Sequence, residues 1–211
     1  MLVPLIAKLS ASGLIPRGIA THNNHPVLLI GHAGSSIWPH FTAWLAKQSP
    51  LPENPLDTWS REIITAAAAE IGGRAVFPSD KPYLPFQQWA MEAEGLRASP
   101  LGILIHPVYG LWHAYRGAIL IPDEKLIQPS EKLSHPCEAC IEKPCLSACP
   151  VDAFSDGGYD VAACRSHLKT EAGQTCMTGG CLARLACPIG REYTYEPEQM
   201  RFHMQAFAPA K

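Results

Sequence analysis

Eight cysteines constrain this chain more than any other feature, because all of them fall between Cys137 and Cys187 and the preceding 136 residues contain none. The first group reads Cys137-x2-Cys140-x4-Cys145-x3-Cys149-Pro150. The second reads Cys164-x11-Cys176-x4-Cys181-x5-Cys187-Pro188. Thiols at this density need an oxidising compartment, a catalytic use or a metal to hold them. Disulfides require export, and the N-terminus does not signal it: the apolar start Met1–Ile6 is followed by Lys8, with no convincing small-residue cleavage pattern, and reads as the opening of a helix. The cytoplasm is the expected compartment, and there thiols stay reduced. Four soft thiolates suit one cubane cluster, since every iron takes one sulfur from the protein. Two sets of four therefore predict two [4Fe–4S] clusters. Two structural zinc sites, in a protein built for interaction, are the rival reading. Zinc gives no reason for a Cys-Pro closing both groups. A cluster pair does: the fourth cysteine crosses to the other cluster, and the proline after it ends the turn. By that crossover, Cys137, Cys140, Cys145 and Cys187 surround one cluster, and Cys149, Cys164, Cys176 and Cys181 the other. The gaps depart from the usual bacterial x2, x2, x3 pattern.

Away from the cysteines, 211 residues with 47% hydrophobic content supply one sizeable core and a small appended module. The expected division is a domain over 1–125 that binds a cofactor or a partner, and a two-cluster domain with a C-terminal tail over 126–211, joined by a polar linker at about 122–136. A net charge of -2 gives no reason to expect a nucleic-acid partner. The longest apolar runs, Val27–Ile30 and Gly117–Pro122, are strand-sized, so no membrane span is expected. Helices are expected over Leu2–Leu14, Ile37–Lys47, Trp59–Ile71 with Asp57 as N-cap, and Gln87–Leu96. Strands are expected at Val27–Ile30, Ala75–Phe77, Ile103–His106 and Gly117–Ile121.

With the cysteine order laid out, the module resembles the iron–sulfur part of epoxyqueuosine reductase and of the corrinoid-dependent reductive dehalogenases. Cys164-Arg-Ser-His167-Leu168 is similar to a cysteine-containing stretch of the former, and Leu101-Gly-Ile-Leu-Ile-His-Pro-Val-Tyr-Gly110 to its strand and HP-x-YG loop. The resemblance implies an α+β fold: a nitroreductase-like α/β domain that holds cobalamin, followed by a ferredoxin-like two-cluster module that feeds it single electrons. It also implies a protein electron donor, such as a ferredoxin, flavodoxin or reductase. No segment matches that family's substrate-binding part or its later helical repeats. The resemblance thus points to a compact corrinoid-linked oxidoreductase, with a ferredoxin-like electron carrier as the alternative.

Three further places carry candidate chemistry. The loop from His106 to Arg116 gathers Tyr109, Gly110, Trp112 and His113. It is expected to wall a flat cofactor, with His106, Tyr109, Gly110, Trp112 and Arg116 binding and Tyr109 or His113 donating a proton. Gly31 and Gly34, after a short strand, form a turn whose N–H groups could cradle a phosphate, though an ordinary tight turn is the favoured reading. His135 and His167 lie beside the cysteines, where hydrogen bonding to sulfur is the use their position suggests.

Overall fold

The computed structural model describes residues 2–122, 134–155 and 157–208. The boundary expected at 125/126, and most of the linker around it, lie outside these. Contacts divide the chain into two units, residues 2–96 with 113–122, and residues 97–112 with 134–208. The segment 97–112, expected in the N-terminal domain, groups instead with the cysteines.

In the first unit, α1 (Leu2–Ser10) buries Leu5 and Leu9, one turn apart on one face. It ends earlier than Leu14 because Gly13 takes a positive φ of 70° and turns the chain into β1 (Ile15–His22), a strand the sequence reading did not anticipate. Asn23 and Asn24, at φ 49° and 65°, form the left-handed pair of a tight hairpin. The chain then returns as β2 (His25–Ala33), longer than the expected Val27–Ile30. With β3 (Arg74–Val76) and β6 (His113–Leu120), the sheet runs β1-β2-β6-β3 and every pairing is antiparallel.

Helix α1 packs on β1, and three more helices follow in this unit. The second, α2 (Trp38–Leu45), buries Trp38 and Phe41. The long α3 (Pro55–Ala69) starts at Pro55, whose missing N–H costs nothing in a first turn; Asp57 therefore sits inside that turn and is not the cap. It packs on β6 and β3, while α4 (Phe86–Glu94) packs on β1 and β2. Pro26–His32 of β2 is buried at every position, which accounts for a continuous apolar run where an alternating one would mark a half-exposed strand. Each fully buried Leu, Ile or Phe here stabilises the fold by about 1.5–3 kcal/mol.

The second unit is built from short pieces. Strands β4 (Arg97–Ala98) and β5 (Leu104–Ile105) pair, as do β7 (Phe154–Ser155) and β8 (Gly158–Tyr159). Around them lie α5 (Pro136–Ala139), α6 (Pro144–Ser147), α7 (Val161–Leu168), α8 (Gln174–Gly179), α9 (Leu182–Leu185) and α10 (Pro197–Phe207). Its core mixes aliphatic side chains with sulfur: Leu101, Ile105, Leu111, Ala153 and Ala183 pack with Cys145, Cys149 and Cys187. The molecule is therefore mixed α and β, as expected at that level. No described helix is long and apolar enough to cross a membrane.

Candidate metal centre

All eight cysteines are free thiols, and the short helices aim them at two separate cavities. The larger, about 290 Å³, is lined by Cys149, Cys164, Cys176 and Cys181 among apolar side chains such as Leu101, Phe154 and Leu168. The narrower, about 20 Å³, is lined by Cys137, Cys140, Cys145 and Cys187, with Lys143 and the prolines Pro136, Pro144 and Pro188. Each Cys-Pro thus contributes its sulfur to the cavity whose other three thiols lie in the opposite stretch of sequence.

Electrostatics sort the thiols the same way. Burial, then the neighbouring Cys187, Cys145 and Cys140, push the Cys137 thiol above its ordinary value. Burial likewise raises Cys145, followed by Cys187 and Cys140. In the other set burial raises Cys176 and Cys181, with further upward pressure from Cys164 and Cys149. Burial also raises Cys187, against a backbone N–H from Ile189. Backbone N–H groups point at several sulfurs: Leu182 at Cys176, Ala183 and Arg184 at Cys181, and Ala153 at Cys149 (3.4 Å). Such donors stabilise negative charge on sulfur. A metal that binds must displace protons that these thiols hold tightly.

Two further groups face the larger cavity. Tyr159 is raised by burial and then by its hydrogen bond to Cys164. His167, which lines the same wall, has its Nε2 buried with no hydrogen-bond partner.

The loop 106–116 is split by the unit boundary, which falls between Trp112 and His113. Within the cysteine unit, His106 Nδ1 accepts the N–H groups of Val108 and Tyr109 at 3.0 and 3.1 Å, and its ring stacks on Tyr109 at 4.2 Å. His106 and Gly110 exchange backbone hydrogen bonds of 2.9 Å in both directions. Gly110, at φ 56°, sits so close that any Cβ would collide with the Ile189 carbonyl, just after Cys187-Pro188. Trp112 is 2% exposed, and the Arg184 guanidinium lies over its ring at 4.4 Å while donating to the Leu111 carbonyl. These residues brace the cysteine segment.

His113 and Arg116 belong to β6, not to the loop, and both have partners in the first unit. Arg116 donates to Asp57 and, at 3.1 Å, to Ser60 Oγ. His113 Nδ1 lies 3.3 Å from Arg17. Gly31 is inside β2, where a Cβ would collide with the Ala114 carbonyl of β6; it is a close-approach position rather than a phosphate turn. Gly34, at φ 54°, does occupy the turn before α2.

Sequence reading missed a buried polar network in this unit. Arg17, on an irregular part of β1, has a side chain 1% exposed and pairs with Glu94 of α4 at 2.9 Å. The Tyr115 hydroxyl donates to the same carboxylate. Burial, opposed by Arg17 and reinforced by Glu94, raises Tyr115 far above its usual value. One arginine inside an apolar strand was the available signal, and it requires the fold to be interpreted.

No protein-family model and no curated protein sequence matches this chain. The likeness that exists is one of fold. Epoxyqueuosine reductase from Streptococcus thermophilus superposes with a TM-score of 0.53 at 14% identity, over 90% of this chain and 67% of that one. The enzyme from Bacillus subtilis gives 0.51 at 15% identity, over 84% of this chain and 52% of that one. An epoxyqueuosine reductase bound to a tRNA stem loop gives 0.51 at 16% identity, over 84% and 54%. The chain thus spans half to two thirds of these neighbours' lengths. The last of them carries a nucleic acid, which net charge alone does not anticipate. At these identities what the chain shares with the epoxyqueuosine reductases is the fold.

Proposed function

We propose that this chain is an iron–sulfur oxidoreductase holding two [4Fe–4S] clusters, one in each cysteine-lined cavity, with a corrinoid as the acceptor that the family resemblance implies. The observation that carries the reading is the grouping of eight free thiols, buried or half-buried, into two sets of four that each line one cavity, each completed by a cysteine from the other half of the module. The donor set fits: four soft thiolates per site match the one-per-iron need of a cubane, and backbone N–H groups already point at the sulfurs. It fits zinc poorly. Zinc gives no reason for the Cys-Pro that closes each group.

Bound in these cavities, the clusters supply one-electron transfer. The chain's own residues hold the sulfurs at fixed positions, exclude water from them with Leu101, Phe154 and Leu168, and set their electrostatics through backbone donors. A protein of the ferredoxin or flavodoxin kind is the donor this chemistry needs.

Anaerobic reconstitution tests the cluster reading: about eight iron and eight sulfide per chain, with a broad brown absorption, are expected. Cys140→Ser and Cys164→Ser should each impair a different cluster. A colourless protein that retains zinc defeats the proposal. Titration of the reconstituted chain with cob(II)alamin, followed by EPR, tests the acceptor. A base-off cobalt spectrum saturating near one equivalent supports a corrinoid, and an unchanged spectrum leaves an electron carrier.

A further inference from the structure

We propose that His167 donates its Nε2–H to a sulfur of the cluster held by Cys149, Cys164, Cys176 and Cys181, and thereby raises that cluster's reduction potential. The inference rests on the cluster reading above and assigns to this chain a residue that tunes one of its two centres.

Helix α7 supplies the placement. Asp160 caps it, accepting the Ala163 N–H at 2.9 Å, so its register is fixed at the start. Cys164 and His167 are three residues apart and share a face of the helix, and both line the larger cavity. At its end the helix is held as well: the His167 carbonyl accepts the Thr170 N–H at 2.9 Å and the Thr170 hydroxyl at 2.7 Å. Gly173 packs so tightly against that carbonyl that a Cβ would collide with it. The imidazole therefore hangs from a backbone with little freedom to move.

Within this wall His167 Nε2 is buried and unpartnered. The other polar groups there are engaged. Arg184 donates to the Leu111 carbonyl and lies over the Trp112 and Tyr195 rings, and Tyr159 bonds Cys164. Most of the remaining lining is aliphatic or aromatic. A buried nitrogen left without a partner is costly and uncommon in native proteins, so a cavity that leaves one implies an acceptor. The four thiols name its chemistry, since a cluster in their grasp presents sulfur. The narrower cavity has no histidine in its own lining, and His135, in the more open pocket beside Cys137 and Cys140, lies outside it, so the effect of His167 belongs to the larger cavity's cluster.

The direction of the effect follows from charge. When the cluster takes up one electron from an external donor, its negative charge rises by one. A hydrogen bond from nitrogen to its sulfur stabilises the reduced form more than the oxidised one. Removing the donor makes reduction harder.

The test is a redox titration of the reconstituted full chain, monitored by EPR, in the parent, His167→Phe and His167→Asn. Iron and sulfide are assayed in each. In His167→Phe one of the two midpoints should fall, so that at the parent's midpoint the ratio of reduced to oxidised cluster drops about tenfold, which is 59 mV for a one-electron couple. The other midpoint should stay put, and His167→Asn, which keeps an N–H donor, should recover part of the shift. Unmoved midpoints in a fully loaded His167→Phe protein overturn the proposal. Should that variant lose its iron, pulsed EPR on the reduced parent chain labelled with 15N-histidine decides. A coupled imidazole nitrogen upholds the hydrogen bond, and its absence refutes it. A parent chain that takes up no iron and sulfide defeats the cluster reading itself and this inference with it.

Discussion

Replacing Gly110 by alanine should weaken the cysteine unit at the point where the loop 106–110 meets the segment following Cys187. Gly110 lies at φ 56°, a region that costs an L-residue about 1–2 kcal/mol. Its missing Cβ also leaves room for the Ile189 carbonyl, and Gly190 reciprocates by leaving room for Tyr109. Two backbones pressed together cannot make way as a flexible side chain would, so overpacking adds about 1–3 kcal/mol. Stiffening of the unfolded chain returns about 0.4–1 kcal/mol. The net expectation is a loss of about 1–5 kcal/mol. Gly102→Ala is the control: Gly102 has a similar φ of 76° but no atom within reach of an added Cβ, so only the backbone strain is paid. The assay is urea unfolding of reconstituted protein, followed by loss of cluster absorption, with iron content measured beforehand. If the two alanine variants unfold within about 0.5 kcal/mol of one another, the jam against Ile189 is not what the glycine is for.

Three other perturbations test the rest of the structure. Glu94→Gln removes the carboxylate charge that Arg17 pairs with and should cost about 3–5 kcal/mol in urea unfolding; adding Arg17→Met, which removes the buried guanidinium while the amide oxygen still accepts from Tyr115, should recover part of the loss. Four of the five tryptophans lie in the first unit, which holds Arg17 and Glu94, so intrinsic fluorescence reports on it. Tyr115 keeps its proton in the fold far beyond its ordinary pKa of 10.0. The stability it contributes is therefore complete below about pH 10 and lost above it, by about 1.4 kcal/mol per pH unit, as the unfolded chain releases a proton the native one retains. Urea midpoints between about pH 9 and pH 11 should fall more steeply in the parent than in Tyr115→Phe. Gln199 is 0% exposed with neither amide atom partnered, so Gln199→Met should stabilise by about 1–2 kcal/mol in the same assay; a loss instead would mean that the amide has a use.

What the sequence disclosed follows the range over which each signal acts. Helix positions came through because apolar spacing and local stops such as Gly72-Gly73 are properties of neighbouring residues. Cysteine spacing is a local signal as well, and each set of four lines one cavity. Strand β1 did not: its turn residues, Asn23-Asn24, are a hairpin signal that went unread, and Pro16 and Gly18 inside it argue against a strand until an irregular pairing with β2 accommodates them. The loop 106–116 reads as one wall in sequence, yet the unit boundary cuts it at Trp112 because His113–Leu120 is the strand beside β2. Arg116 and His113 thereby acquire Asp57 and Arg17, partners 59 and 96 residues away. No local pattern encodes such pairings. The same holds for His167, whose residue type and position suggested a use but whose unpartnered nitrogen only the cavity reveals.

The composition of the second unit implies that its fold depends on what its thiols hold. Helices α5, α6 and α9 are four residues long, well below the length at which a helix is stable by itself. Three of the eight residues at the centre of its core are cysteines, with Cys137, Cys164 and Cys181 packed around them. Burial raises several of these thiols, so in metal-free protein they are neutral, and they contribute neither bonds to a metal nor the apolar volume of a leucine. The first unit has no such dependence, since its sheet is closed by Leu28, Leu29, Ile30, Ala118 and Ile119, all nearly or fully buried. Stripping iron with a chelator under reducing conditions should therefore unfold residues 97–112 and 134–208 while strands β2 and β6 stay protected. Hydrogen exchange read by mass spectrometry separates the two, because metal-coupled folding removes protection only where ligands are lost. Full protection of α7 and α8 in iron-free protein would show that the cysteine unit folds without its clusters.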